Sequence, residues 1–468
     1  MATQRIELAW IDALPEFGLP QKEPVVSAAE YQQRVEAARS RLASSGLDTL
    51  VVYGDREHFA NMAFLTAHDP RFEEALLILH AQGGKPILIL GNEGMGHSEL
   101  IPIDVERKLY QGFSLLGQKR DASPRLERVL RDCGIHEGSR VGVAGWKYAS
   151  ALESDRPENW LDAPAFIVDT LRELVGDDRR VLNATAIFMN PVDGLRIFNS
   201  VDQLAAFEFA ASHCSQAVRN SIAGLRPGLS EYEVVERMCL NGIPLSAHAM
   251  FSSGPRSYLG LVSPTDRIVR SGDPFFSAIG LRGSLTARGG FVIASEAELP
   301  PGGEDYIDAL VVPYFTAAVA WYEQIGIGVK GGDLQKVVED ALAGSKVGIA
   351  LNPGHLIHLE EWVHSPVFPG SQIPMRSGML VQVDIIPTNE PRLHTTNVED
   401  TIALADLPLR EEMAGRYPEI WQRIQSRRAF MQDVLGIHLK PEVLPFSNLP
   451  AILQPFGLNP RMIMRNRG

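Results

Sequence analysis

Three Ser-x-x-Glu/Gln boxes fix where helices must begin in this chain, and the strand-like runs around them fix what those helices have to cover. In Ser27-Ala28-Ala29-Glu30 the serine oxygen can take an orphan backbone N–H while the glutamate returns to the serine amide. Tyr31, Val35, Ala38 and Leu42 then recur at helical spacing, Gly46 supplies the stop, and Leu47 to Gly54 reads as a buried strand. Apolar runs from Ala75 to Leu79 and from Pro86 to Leu90 flank the turn at Gly83-Gly84 and read as a hairpin. Residues 1–195 are therefore expected to form a mixed α/β domain.

A second box, Ser200 to Gln203, opens a long helix with Leu204, Phe207, Ala211, Cys214 and Val218 on one stripe, and a third, Ser230 to Glu233, follows Arg226-Pro227-Gly228. Strands come next: Pro274 to Gly280, Gly290 to Ala294, Met379 to Ile386 and Val398 to Leu404. Helices followed by a sheet make residues 196–415 an α+β domain. From 416 to 468 the chain turns helical again, with Ile420, Trp421, Ile424, Met431, Val434 and Leu435 on one face. It ends in a Pro-rich tail too apolar to float free, expected to pack on the domain or on a dimer partner.

Asp plus Glu number 57 against 44 Lys plus Arg, a net charge of −13 with no basic patch, which excludes nucleic acid as a partner. Three cysteines without metal spacing (Cys133, Cys214, Cys239) fit a reduced compartment. The segment Met1-Ala2-Thr3-Gln4-Arg5-Ile6-Glu7 lacks the apolar core of a signal peptide. The longest uncharged apolar stretch, Ala309 to Tyr322, is shorter than a membrane span. A cytoplasmic protein with no membrane partner is the expectation.

Four of the twelve histidines (His355, His358, His364, His394) cluster just ahead of and between two strands that carry central acids, Asp384 and Glu399. Side chains alternate along a strand, so Gln382 and Asp384 share one face while Val381, Val383 and Ile385 take the other. A carboxylate among apolar neighbours needs a cation, a metal or good donors. One His and two carboxylates supply either a single-ion site with open positions or a metal-free acid/base cluster. The spacing alone is equally compatible with an Arg partner for Asp384, a solvent edge for Glu399 and ordinary core or surface roles for His358, His364 and His394.

The order of these motifs resembles the creatinase and aminopeptidase P family, whose catalytic domain has the pita-bread fold. Arg41-Leu42-Ala43-Ser44-Ser45-Gly46-Leu47-Asp48 and Phe64-Leu65-Thr66 are similar to its N-terminal domain. Leu225-Arg226-Pro227-Gly228-Leu229-Ser230-Glu231, Gly272-Asp273, Gly354-His355, Ser377-Gly378-Met379-Leu380 and Val398-Glu399-Asp400 resemble successive landmarks of its catalytic domain. The resemblance covers most of the chain. The family's metallopeptidases hold two divalent ions through two Asp, one His and two Glu; by resemblance His355 is the histidine, Asp384 stands at the first Glu and Glu399 is the last. The two Asp positions fall at Ala278 and within Leu285-Thr286-Ala287-Arg288-Gly289, and no acid lies between Gly283 and Glu296. A paired-ion site is therefore not expected, and Arg288 would disfavour cations further. The family's substrate-facing His, a few residues before Pro264-Thr265-Asp266, falls at Leu261.

The metal-free branch of that family implies a working assignment. His355 or His358 acts as base, Glu399 and Asp384 hold a cationic group, and Arg288 or Arg71 clamps a substrate carboxylate. His364 reaches the pocket, and Arg71 enters it from the partner of a homodimer. The expected activity is hydrolysis of a C–N bond in a small amino-acid-derived or guanidino substrate, with no cofactor or with a single divalent metal on His355, Asp384 and Glu399. Two alternatives stay open: a Xaa-Pro-type metallopeptidase with a reduced metal site, and a non-catalytic ligand-binding or interaction protein on the same fold.

Overall fold

The computed structural model describes residues 5–468; Met1 to Gln4, part of the segment read as lacking a leader, lie outside the described residues. The chain divides into two compact units, Val26–Ile197 and a second made of the stretch up to Val25 together with Phe198–Gly468. The second unit thus takes in both the start of the expected first domain and the expected tail, 416–468.

In the first unit the Ser27 side chain accepts the Glu30 amide at 3.2 Å and opens the helix Ala28–Ser44. The fully buried strand Thr49–Gly54 pairs antiparallel with Ala75–His80, which forms the expected hairpin with Ile87–Leu90. Glu106–Leu109, Val141–Ala144 and Val181–Asn183 add parallel to complete a six-stranded mixed sheet. Val51, Ile78, Ile89 and Val143 pack with Leu130, Ile167 and Leu171 from helices Leu126–Asp132 and Ala165–Val175. Each such side chain contributes roughly 1.5–3 kcal/mol by leaving water.

The second unit is built on a curled antiparallel sheet in the order His355–Leu356, Leu380–Asp384, Asn397–Leu404, Ser284–Phe291, Pro274–Leu281, Leu245–Ser253, with Val443–Pro445 paired to Asn397–Leu404. Irregular register between Leu245 and Met250 bends its outer strand. One strand begins at Ser284 rather than at Gly290 as expected. Thr286 and Arg288 break the apolar pattern there, although both are buried. Helix Val201–Ala223, opened by Ser200 accepting the Gln203 amide at 3.1 Å, lays Leu204, Phe207 and Ala211 against Met250, Ala278, Leu285, Ala287 and Ala403. Helix Val312–Gln324 contributes Tyr314, whose hydroxyl accepts the Val398 N–H at 2.8 Å. No helix among the described residues is long and apolar enough to cross a membrane.

Buried ion pairs fasten the C-terminal residues to this unit. Arg423 and Arg427 of helix Pro418–Asp433 each reach the buried Glu208 at 2.7 Å, and Met462–Asn466 pairs antiparallel with Ile6–Trp10. Arg288 and Asp400, 2% and 1% exposed, form a second pair at 2.8 Å. The Arg288 Nε donates to the Ile452 carbonyl at 2.7 Å, Nη1 donates to the Ala287 and Glu399 carbonyls at 2.7 and 3.1 Å, and Nη2 donates to Asp400 and to the Leu449 carbonyl. All five guanidinium N–H groups are used. Asp400→Ala leaves that cation buried and unpaired, so it should cost about 3–5 kcal/mol in urea unfolding, with most of the loss recovered in Arg288→Met/Asp400→Leu. A single-variant loss below about 1 kcal/mol would remove this account of how the tail is held.

Candidate functional site

One row of cross-strand neighbours assembles the site. Asp384 lies opposite Glu399, Glu399 opposite Ala287, and Ala287 opposite Ala278. Directly opposed residues of antiparallel strands present the same face. Two acids therefore stand together at one end of the row and two alanines continue it. His355 arrives from the neighbouring strand, opposite Gln382. The turn that delivers it requires glycine: Gly354 has φ +118°, and a Cβ there would lie 3.1 Å from both the Gln382 carbonyl oxygen and the Trp321 ring.

The His355 ring is wholly buried, with Nε2 3.1 Å from Glu361 Oε1 and 3.9 Å from Asp384 Oδ2. The Trp362 indole stacks on it, centroids 4.0 Å apart at 18°, which holds the imidazole plane. One oxygen each from Glu361 and Glu399 and one His355 nitrogen lie within 4.8 Å of one another. Glu399 Oε1 accepts from Gln382 Nε2 at 3.3 Å. The Gln382 amide is oriented in turn by the Thr401 hydroxyl, which donates to its Oε1 at 2.8 Å and sits 2.9 Å from Ser284 Oγ. His355 Nε2 and Asp384 Oδ1 are buried without a hydrogen-bond partner among the described residues. The Nε2 contact with Glu361 is thus a charge contact outside hydrogen-bond geometry.

Three carboxylates face one imidazole, and their titration reflects it. Burial raises the Asp384 carboxyl to about 6, with His355 pulling down and Glu361 pushing up. Burial, then Asp384, then Glu361 lift Glu399 well above the carboxylate range. Burial pushes the His355 imidazole down, but Glu361 and Asp384 outweigh it and the net direction is up.

The residues marked out by the sequence fall into two groups. His355, Asp384 and Glu399 converge. His358 is buried edge-on against the Phe207 ring at 5.0 Å. His364 bridges by its backbone to Leu356, keeps Nδ1 3.2 Å from the Ser365 carbonyl oxygen, and is lowered by burial. Arg288 requires a correction: its five donors are consumed by Asp400 and backbone carbonyls, so no N–H remains to clamp a substrate carboxylate. Arg71 belongs to the Val26–Ile197 unit, 3.4 Å from Asp69 and over the Phe59 ring at 5.0 Å. His394 sits in a loop at φ +54° beside Phe291. Glu361 and Trp362 are not singled out by sequence reasoning; an acid next to an aromatic between His355 and His364 is the signal available for them.

A paired-ion centre does not fit these residues. Ala278 and Ala287 occupy the row where carboxylates would be needed, and both belong to the apolar cluster with Leu204, Phe207 and Met250. A single divalent ion does fit, through His355, Glu361 and Glu399, since the set contains a buried nitrogen left without a hydrogen bond.

No family model matches the sequence, and no curated protein matches it. Its fold is shared with solved peptidases. The Xaa-Pro dipeptidase from Bacillus anthracis superposes at TM-score 0.60 with 15% identity, over 80% of this chain and 94% of that one. The dipeptidase PepE from Mycobacterium ulcerans does so at TM-score 0.60 with 19% identity, over 81% and 94%. A putative aminopeptidase P from Bacillus anthracis gives 0.56 and 12%, over 86% and 99%. The architecture is that of a creatinase-type α/β domain followed by a pita-bread domain.

Carboxyl groups whose folded pKa is raised hold more protons in the native than in the unfolded state, so stability falls as pH rises between the two values. For Asp384 that window runs from its ordinary value of 3.8 to about 6. In chelator-treated protein, Asp384→Asn should therefore stabilise by on the order of 1–3 kcal/mol at pH 8 and by almost nothing at pH 4. Thermal unfolding of the two proteins at both pH values checks this, and equal shifts at the two would contradict it.

Proposed function

We propose that this chain hydrolyses a carbon–nitrogen bond in a small amino-acid-derived substrate. The fold supports the class, because neighbours described as an Xaa-Pro dipeptidase, a prolidase and an X-Pro aminopeptidase share it. The observation that carries the reading is the buried cluster of His355, Glu361, Asp384 and Glu399, with two polar atoms lacking partners. A sheet interior gains nothing from concentrating like charge in low dielectric, and perturbed buried groups with open bonding positions mark functional sites.

The roles follow from contacts. Asp384 has an oxygen free to take a proton from water at Oδ1. Glu399, held by Gln382, keeps its proton until a cationic group of the substrate or an ion arrives beside it, and ionises against that charge. Trp362 and Gly354 set the His355 ring, and Glu361 at the more exposed edge keeps a carboxylate beside Nε2. A divalent ion, where His355, Glu361 and Glu399 hold one, supplies Lewis-acid polarisation of the scissile group and lowers the pKa of water.

The binding-protein alternative draws on Ala278, Ala287 and Leu261, the last 74% exposed where a substrate-facing His was expected. A panel of Xaa-Pro dipeptides, guanidino acids and N-acyl amino acids, assayed with and without Mn²⁺ or Zn²⁺, separates the two. Hydrolysis of one class is expected, and Asp384→Asn should lower its kcat about 10²–10⁴-fold. Because that variant is expected to be the more stable protein, such a loss would not reflect misfolding. No turnover of any class, combined with a ligand-induced rise in Tm, would overturn the hydrolase in favour of a binding protein.

A further inference from the structure

We infer that this cluster is a site for one divalent transition-metal ion whose third ligand, Glu361, comes from the turn after the His355 strand and replaces the carboxylates missing at Ala278 and Ala287. The inference shares its location with the proposed hydrolase but does not depend on any reaction taking place there.

The histidine is already arranged as a ligand. Its Nδ1 lies 3.3 Å from the Leu356 carbonyl oxygen, so the ring proton is used there and the Nε2 lone pair is left for an ion. Nε2 is wholly buried and has no hydrogen-bond partner, although Glu361 Oε1 lies only 3.1 Å away. An imidazolium hydrogen-bonded to Glu361 would aim its N–H at that oxygen. Here, with the ring stacked on Trp362, the contact falls short of that geometry. Ligating carboxylates are normally hydrogen-bonded by a neighbour, and the Gln382 amide does this for Glu399.

The donor set is one imidazole nitrogen and two carboxylates, which suits Mn, Fe, Co or Zn better than the all-oxygen sites of Ca or Mg. Bonds of about 2.0–2.2 Å place ligand atoms around such an ion roughly 3–4 Å apart. The three atoms already lie within 4.8 Å of one another, so closing on an ion requires a contraction of about an ångström. Three protein ligands leave coordination positions open, and the partial exposure of Glu361 gives the ion a route in. Asp384, 3.9 Å from Nε2 with a free oxygen, stands beside the set as additional negative charge.

The experiment titrates the chelator-stripped full-length chain with Mn²⁺, Zn²⁺ and Co²⁺, reading stoichiometry by calorimetry and by mass spectrometry of bound metal. One equivalent is expected. Two equivalents, or none, would overturn the inference. Glu361→Gln should weaken binding by at least about 10–100-fold, the loss expected from removing even a group that only orients a ligand, and Glu361→Asp should recover part of it, which distinguishes a lost ligand from a damaged fold. Affinity unchanged in Glu361→Gln would refute its role as ligand. Co²⁺ provides an independent signal: bound at His355 it should quench the indole stacked on that ring, and the quench should shrink in Trp362→Phe to what Trp321, beside Gly354, contributes, while the stoichiometry stays at one. A quench undiminished in Trp362→Phe would place the ion away from the His355 ring and refute the site. One-ion binding without turnover of any substrate class supports this inference and removes only the hydrolase.

Discussion

The pairing of Asp384 with Glu399 is the constraint on which the pita-bread unit and its site both depend. Side chains alternate with a period of two, so a slip of one residue would send Glu399 to the opposite face and bring Asp400 into its place. The opposite face guards against that slip. Arg288 is directly opposed to Val398, and its guanidinium reaches Asp400 while bonding to carbonyls of 449 and 452. In a shifted register the buried cation would lose its carboxylate, a loss of about 3–5 kcal/mol. The ion pair adds little net stability compared with apolar side chains of the same size; its physical effect is to make one register much better than its neighbours.

Adjacent acids on the Asn397–Leu404 strand are treated in opposite ways. Asp400 is buried, but Arg288 and the Ala451 amide supply donors to it. Glu399 is buried with other carboxylates, and a glutamine amide donates to it at 3.3 Å. The same stretch of sheet can thus give a carboxylate a cation and backbone donors, and at Glu399 it does not. That contrast separates charge that serves the fold from charge that the fold merely tolerates. The excess at the His355 end asks for a cation, whether an ion or a positively charged part of a ligand.

Much of this was legible in the sequence wherever a local rule governs. Serine boxes at 27, 200 and 230 start helices, the Gly83-Gly84 turn joins a hairpin, and strand alternation puts Gln382 and Asp384 on one face. The failures come where distant residues decide. Arg288 read as a cation near the pocket because its partners, Asp400 and the carbonyl of Ile452, lie 112 and 164 residues away. The same contacts bury the strand Ser284–Phe291, whose polar residues interrupt the apolar pattern ahead of Gly290. Glu361 was overlooked because the irregular turn that carries it has no periodicity to say which way a side chain points; the stack of Trp362 on His355 fixes it. The ends of the chain, paired as strands across 458 residues at Glu7 and Arg465, could not be joined by any local pattern.

The two alanines do more than remove ligands. Ala278 and Ala287 continue the row from Glu399 into the apolar cluster under helix Val201–Ala223, where Leu204, Phe207 and Met250 meet them. Carboxylates restored at those positions would be buried against hydrocarbon, and each would carry a desolvation penalty of several kcal/mol until an ion neutralised it. The half of the row that could hold a second ion is therefore packed as core, and packed cores resist the insertion of both charge and volume. Chemistry is confined to the end where His355, Glu361, Asp384 and Glu399 meet. Whatever binds there meets three acids and one imidazole, with no guanidinium from Arg288 to offset them. This selects for a positive centre and against a bare anion at the heart of the site.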